Sequence, residues 1–138
     1  MEQGRLIMLD CLNTSLGATA TVLLVTDAHD FDAAAGAQYV SDISADEASP
    51  TNYARQPLAY ATGVSIDSDG RAVITWTETT FGTLGGAVDQ AIGGAYVFGD
   101  TGDDATSPLI YRVPASPPET TTGAAFVIRW QSPTVFVA

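Results

Sequence analysis

Val64-Ser65-Ile66-Asp67-Ser68-Asp69-Gly70-Arg71-Ala72-Val73-Ile74-Thr75-Trp76-Thr77 is the stretch that decides the fold class, because it reads as two strands meeting at a turn. An Asp-Gly pair between apolar and β-branched runs supplies the positive φ angles that a tight hairpin turn demands. In the outgoing strand Val73, Thr75 and Thr77 share one face while Ala72, Ile74 and Trp76 share the other, which puts Trp76 in the core.

Working outward, the same grammar recurs. Thr19 to Thr26 is β-branched and apolar throughout and reads as a strand buried on both faces, followed by the acidic turn Asp27-Ala28-His29-Asp30-Phe31-Asp32. Residues 33 to 52 are rich in Ala, Ser and Asp and are expected to loop over the surface, anchored by Tyr39, Val40 and Ile43. Tyr53 to Thr62 alternates as a strand. Ala91 to Phe98 and Pro108 to Val113 form a second antiparallel candidate across the acidic loop Gly99 to Ser107, and Ala124 to Trp130 with Thr134 to Val137 a third. At the other end, Leu6, Leu9, Leu12 and Leu16 fall at helical spacing, so Arg5 to Leu16 is expected to form one short helix stopped by Gly17. About seven short strands with regular turn signals predict a single domain over residues 1–138. Its expected architecture is an antiparallel β-sandwich, jelly-roll or Ig-like, or a related barrel, with residues 1–17 as an N-terminal arm or helix.

Composition narrows function. The chain of 138 residues has a formal charge of −11, with five arginines, no lysine and sixteen acids. Five scattered cations do not make a phosphate-neutralising surface, so neither nucleic acid nor an anionic membrane is expected as a partner. Met-Glu-Gln-Gly-Arg lacks the basic region of a signal peptide, which predicts synthesis in a cytoplasm. Cys11 is the single cysteine and reads as a small buried apolar residue.

Catalytic patterns are thin. A Cys-His pair or a Ser-His-Asp triad would have to use His29, the one histidine, and no Gly-x-Ser-x-Gly elbow is present. Asp100 to Asp104 offers three carboxylates in a short loop but not the ligand spacing of an EF-hand, and Asp27, Asp30 and Asp32 around His29 read as a solvated turn. Of the four glutamates, Glu2 and Glu119 fall in segments expected to be mobile, which leaves little for a paired-carboxylate glycosidase. The alternation buries Trp76 and Trp130, against a carbohydrate-binding platform. The expectation is a non-enzymatic protein with no cofactor and no metal.

One segment has a distinctive texture: Glu47-Ala48-Ser49-Pro50-Thr51-Asn52-Tyr53-Ala54-Arg55-Gln56-Pro57-Leu58. Together with the strand Val22-Leu23-Leu24-Val25, the acidic Ser41-Asp42-Ile43, a strand through Trp76 and the aromatic strand Ala95-Tyr96-Val97-Phe98, it resembles a family of small virion proteins of tailed actinobacterial phages. That resemblance implies a head decoration, or minor capsid, protein on the capsid exterior, bound to the major capsid protein, and a homo-oligomer such as a trimer over a local threefold axis. The alternatives are a tail, fibre or head-tail connector component, or a carbohydrate-binding module. The chain departs from the family in carrying no lysine.

Within the segment, Arg55, Tyr53 and Asn52 are the candidate interface residues, joined by the apolar Leu6, Ile7 and Met8 near the N-terminus. Arg55 pairs either with an acid on a coat subunit or internally with one of the chain's own acids, and Tyr53 either anchors a partner or packs in its own core. In the docking case, Arg55→Ala leaves the protein folded and lowers its occupancy on particles.

Overall fold

The computed structural model describes residues 20–58, 60–66, 68–70, 72–76, 78–130 and 134–135. The expected N-terminal helix, Cys11, Leu6, Ile7 and Met8 lie outside them. The fold is mainly β and every strand pairing is antiparallel. In chain order the strands are β1 (Ala20–Thr26), β2 (Gln56–Pro57), β3 (Tyr60–Ile66), β4 (Ala72–Trp76), β5 (Thr79–Thr83), β6 (Ala91–Gly99), β7 (Leu109–Thr120), β8 (Ala125–Ile128) and β9 (Thr134–Val135). They form a four-stranded sheet ordered β2-β1-β6-β7, a three-stranded sheet β3-β4-β9 and the pair β5-β8. Among the described residues no pairing closes these sheets into a barrel.

The two central strands of the four-stranded sheet, β1 and β6, are buried on both faces, which is why they are almost continuously apolar. On one face Val22, Leu24, Ala95 and Val97 meet Trp76, Phe81 and Leu84, with Phe126, Ile128 and Trp130 packed against them. On the other, Leu23, Val25, Tyr96 and Phe98 are covered by Val40 and Ile43 and flanked by Phe31, Ala34 and Ala37. The covering segment holds three short 3-10 turns, Ala33–Gly36, Val40–Asp42 and Ser44–Asp46. An antiparallel sheet usually leaves one face to water, and here a segment with little regular structure closes the second. Val40 and Ile43 are the anchors expected; Tyr39 is not, being 40 % exposed.

The hairpin that opened the reading is present, with β3 and β4 paired from Tyr60↔Trp76 to Ile66↔Ala72. Its turn is wider than a two-residue turn. Gly70 adopts the left-handed conformation (φ 75°) and Asp69 does not. Trp76 is buried as expected.

Three further expectations need correction. Tyr53 to Thr62 is not one strand: β2 joins β1 and β3 joins β4, so the chain changes sheets between them. The proposed terminal hairpin does not form, because β8 pairs with β5 and β9 with β4. Local turn chemistry at Gln131-Ser132-Pro133 suggested a hairpin, but each strand finds its partner far away in the sequence. Glu119 lies in β7, opposite Ile92, and not in a loose segment. Between Ile92↔Glu119 and Gly94↔Pro114 the register shifts, so residues 115–118 bulge from the strand. Prolines 114, 117 and 118 are tolerated there because β7 is the outer strand of its sheet.

Candidate docking segment and its polar network

The segment from Asp46 to Leu58 runs along the outer edge of β1. At one end Glu47 bridges to Val25 and the Ala48 amide donates to the Leu24 carbonyl (2.9 Å). At the other, Gln56 and Pro57 pair with Val22 and Thr21, and the Leu58 amide reaches the Ala20 carbonyl (3.0 Å). Between these anchors the chain loops away, which would leave the Leu24 amide without a partner. The Tyr53 hydroxyl fills that gap, accepting from Leu24 N at 3.1 Å and donating to Glu47 Oε1 at 2.8 Å. Burial, the main cause, pushes the Tyr53 phenol well above its ordinary value, so it remains the donor this arrangement needs. Its ring stacks on Phe81 with centroids 6.0 Å apart.

The loop itself is stitched to the opposite turn. Asn52 sits at φ 63°, a conformation asparagine tolerates better than most residues, and its side-chain amide donates to the Thr83 carbonyl (3.1 Å). Thr51 accepts from Val88 N through its hydroxyl (2.8 Å) and from Gly85 N through its carbonyl (2.8 Å).

Arg55 ties this segment to the acidic loop. Its Nε and Nη2 donate to the two Glu47 oxygens at 2.8 and 2.7 Å, and Nη1 and Nη2 donate to the two Asp104 oxygens at 2.7 and 3.0 Å. The guanidinium carbon lies 5.2 Å from the centroid of the buried Phe98 ring. A planar fork that engages two carboxylates at once is arginine chemistry, which lysine cannot reproduce. The bonds from Glu47, then Asp104, raise the Arg55 pKa, and the guanidinium in turn holds the Asp104 carboxyl below its usual range.

A second cluster lies on the face that carries Phe98. His29, its side chain only 1 % exposed, places Nδ1 2.8 Å from Asp46 Oδ2 and Nε2 2.8 Å from the Tyr96 hydroxyl. Phe31 meets the imidazole edge-on at 4.7 Å and stacks on Tyr96 at 5.4 Å. Burial raises the Tyr96 pKa, and neighbouring Arg112 opposes the shift. The cluster joins the turn after β1, the last 3-10 turn and β6, so it holds the covering segment on the sheet.

Of the sequence candidates, Arg55 and Tyr53 thus converge, but on the protein's own edge strand and acidic loop, while Asn52 reaches the Thr83 carbonyl of β5 instead. Asp104 is taken by Arg55, while Asp100 and Asp103 accept from the backbone amides of Gly102 and Ala105 (2.8 and 2.9 Å). Asp30 similarly caps the amides of Asp32 and Ala33. Among the described residues no three His, Cys, Asp or Glu side chains form a metal-holding group. The two tryptophans meet edge-to-face at 5.2 Å, with Trp130 Nε1 donating to Thr79 Oγ1, so they are not a coplanar sugar platform.

What residue patterns did not reveal is the ground beside β7 and β8. Tyr111 and Val127 are 39 % and 37 % exposed on those strands, and Val127 borders a cavity of about 190 Å³ lined by Val113 and Glu119 of β7 and Phe126 and Ile128 of β8. The proline cluster masked the strand character of residues 114–120, and only the pairing of β8 with β5 brings the two strands together. No protein-family model, curated protein or solved structure matches the chain.

Proposed function

We propose that this protein is a non-enzymatic β-sandwich component of a phage particle, a head decoration protein that binds the outside of the capsid and bridges major capsid subunits, as a homo-oligomer such as a trimer. The observation that carries a binding role is the exposed apolar Val127 on an outer strand beside an apolar cavity, with Tyr111 exposed elsewhere on β7. The network of Arg55, Glu47, Asp104 and Tyr53 supports the same reading, since it spends its ionic groups on making a rigid body. A rigid surface loses little entropy on docking. The location on a head comes from the resemblance of residues 47–58 to phage virion proteins.

The test is the copy number and position of the protein in purified particles, by quantitative mass spectrometry and labelled-antibody microscopy. Hundreds of copies spread over the head are expected. A handful at one vertex makes it a connector or tail component, and none in particles ends the reading.

A further inference from the structure

Three loops, residues 49–53, 83–90 and 120–124, meet at the end of the four-stranded sheet where Ala91 of β6 pairs with Thr120 of β7, and each fixes the others. The Thr51 amide donates to the Val88 carbonyl (3.0 Å), while the Val88 and Gly85 amides donate to the Thr51 hydroxyl and carbonyl (both 2.8 Å). The Ser49 amide donates to Gln90 Oε1 and the Thr121 amide to the Gln90 carbonyl (2.6 and 3.0 Å). Asp89 Oδ1 accepts from the Gly86 amide and the Thr121 hydroxyl (2.7 and 3.1 Å). Gly86 and Gly123 pack main chain against main chain: a Cβ on Gly123 would lie 3.1 Å from Gly86 Cα. Loop tips are ordinarily the mobile part of a domain, whereas a tip tied in this way is ordered before any contact is made and loses little entropy in making one.

Val88 stands on this tip and is 56 % exposed, more than Tyr39, Tyr111 or Val127. The tip is also nearly free of charge. On a chain with sixteen acids, Asp89 is the one charged residue of the three loops, and one of its oxygens is spent on holding them together. Asp100, Asp103 and Asp104 follow the opposite end of β6, and Asp27 and Glu119, beside Ala91 and Ile92, form an acidic rim. Copies that each carry −11 repel, so they approach closely only where charge is sparse; a cationic partner would be drawn to the acids instead. We infer that the three-loop tip is the surface through which copies of this chain meet, with Val88 as the apolar anchor of the contact. The inference rests on the homo-oligomer part of the proposed function and names its surface. The acidic rim gives the contact a sign, because salt screens repulsion between copies and tightens their association, whereas it weakens docking between opposite charges.

The experiment is sedimentation velocity of the full chain over a range of protein concentrations at low and high salt, for wild type, Val88→Asp and Tyr39→Ser. Both variants change an exposed side chain, and unaltered thermal midpoints establish that they fold. The expected result is a wild type that self-associates, more tightly at high salt, and a dissociation constant raised about tenfold or more by Val88→Asp, which sets a new carboxylate against its like. Tyr39→Ser, away from the tip on the covering segment, should associate as wild type does. Unchanged association of Val88→Asp overturns the inference and leaves a homo-oligomer standing through another surface. Association that weakens with salt overturns it too, as does an equal loss in Tyr39→Ser. A wild type that is monomeric throughout ends both the inference and the homo-oligomer reading, while the decoration reading is judged separately by copy number in particles. If that monomer loses particle occupancy on Val88→Asp, the tip faces the coat and not a second copy.

Discussion

Arg55→Ala is the most informative single substitution, because the structure turns a docking candidate into a structural clamp. The change removes both bonds to Glu47, both to Asp104 and the stacking on Phe98. Glu47 carries most of the cost: its side chain is 17 % exposed, against 41 % for Asp104, and the Tyr53 hydroxyl becomes its remaining side-chain donor. Breaking a fully buried pair costs about 3–5 kcal/mol and an exposed pair about 0–1 kcal/mol. The intermediate burial here places the loss at about 2–3 kcal/mol, nearly all from Glu47. For a domain of this length that lowers the thermal midpoint by roughly 7–10 °C. Differential scanning calorimetry of Arg55→Ala, Glu47→Gln and the double variant checks both size and origin. The double variant should recover a large part of the loss, since it no longer holds an unpaired carboxylate against the sheet. A midpoint within about 2 °C of wild type for Arg55→Ala, or a double variant no better than the sum of its parts, refutes the clamp. A fall in particle occupancy for Arg55→Ala is therefore no evidence of direct contact unless stability is restored first.

Acid sensitivity follows from the same network. Asp104 is lowered from its usual value of 3.8 by Arg55, and Asp42 by the backbone amides of Tyr39 and Gln38. Because both folded values lie below the unfolded ones, the stability they contribute is present above about pH 4 and lost as pH falls through the folded values. Denaturant midpoints should drop below pH 4, with a shallower slope in Arg55→Ala; identical slopes would remove Asp104 from the account. Gly94→Ala should cost several kcal/mol or prevent folding. At φ 158° a Cβ would lie 2.4 Å from the Val113 carbonyl oxygen and 2.5 Å from Phe31 Cζ, whereas at Gly99 it meets nothing nearer than 3.6 Å. Equal expression and midpoints for Gly94→Ala and Gly99→Ala would count against this packing.

Strand identity was legible wherever apolar content and turn chemistry agreed. The run Val22 to Val25 announced burial on both faces, and the structure supplies the reason: one alternating set enters each of two cores. Asp69-Gly70 marked a hairpin, and Trp76 its buried side. Thr79 to Thr83 was missed because Thr-Thr-Phe-Gly-Thr carries few apolar residues, yet Phe81 and Thr79 are buried against β8 and the core.

The candidate site was legible as a set of residues but not as a role. Tyr53, Arg55 and Asn52 stand out by type, but the partner Asp104 lies 49 positions from Arg55, and no local pattern links them. His29 with Tyr96, 67 positions apart, is the same case.

By itself, then, the sequence determined a mainly β, acidic, cation-poor chain with a buried strand near 20–26, a strand near 91–98 and a hairpin at Gly70. These follow from side-chain chemistry and periodicity, which act over a few residues. Only the tertiary structure decided that β8 leaves β9 for β5, that residues 46–58 cover an edge of β1, and that β7 and β8 frame an apolar opening. Each of these depends on which distant groups satisfy a buried amide, carboxylate or apolar face, and that competition is settled only when the whole chain has packed.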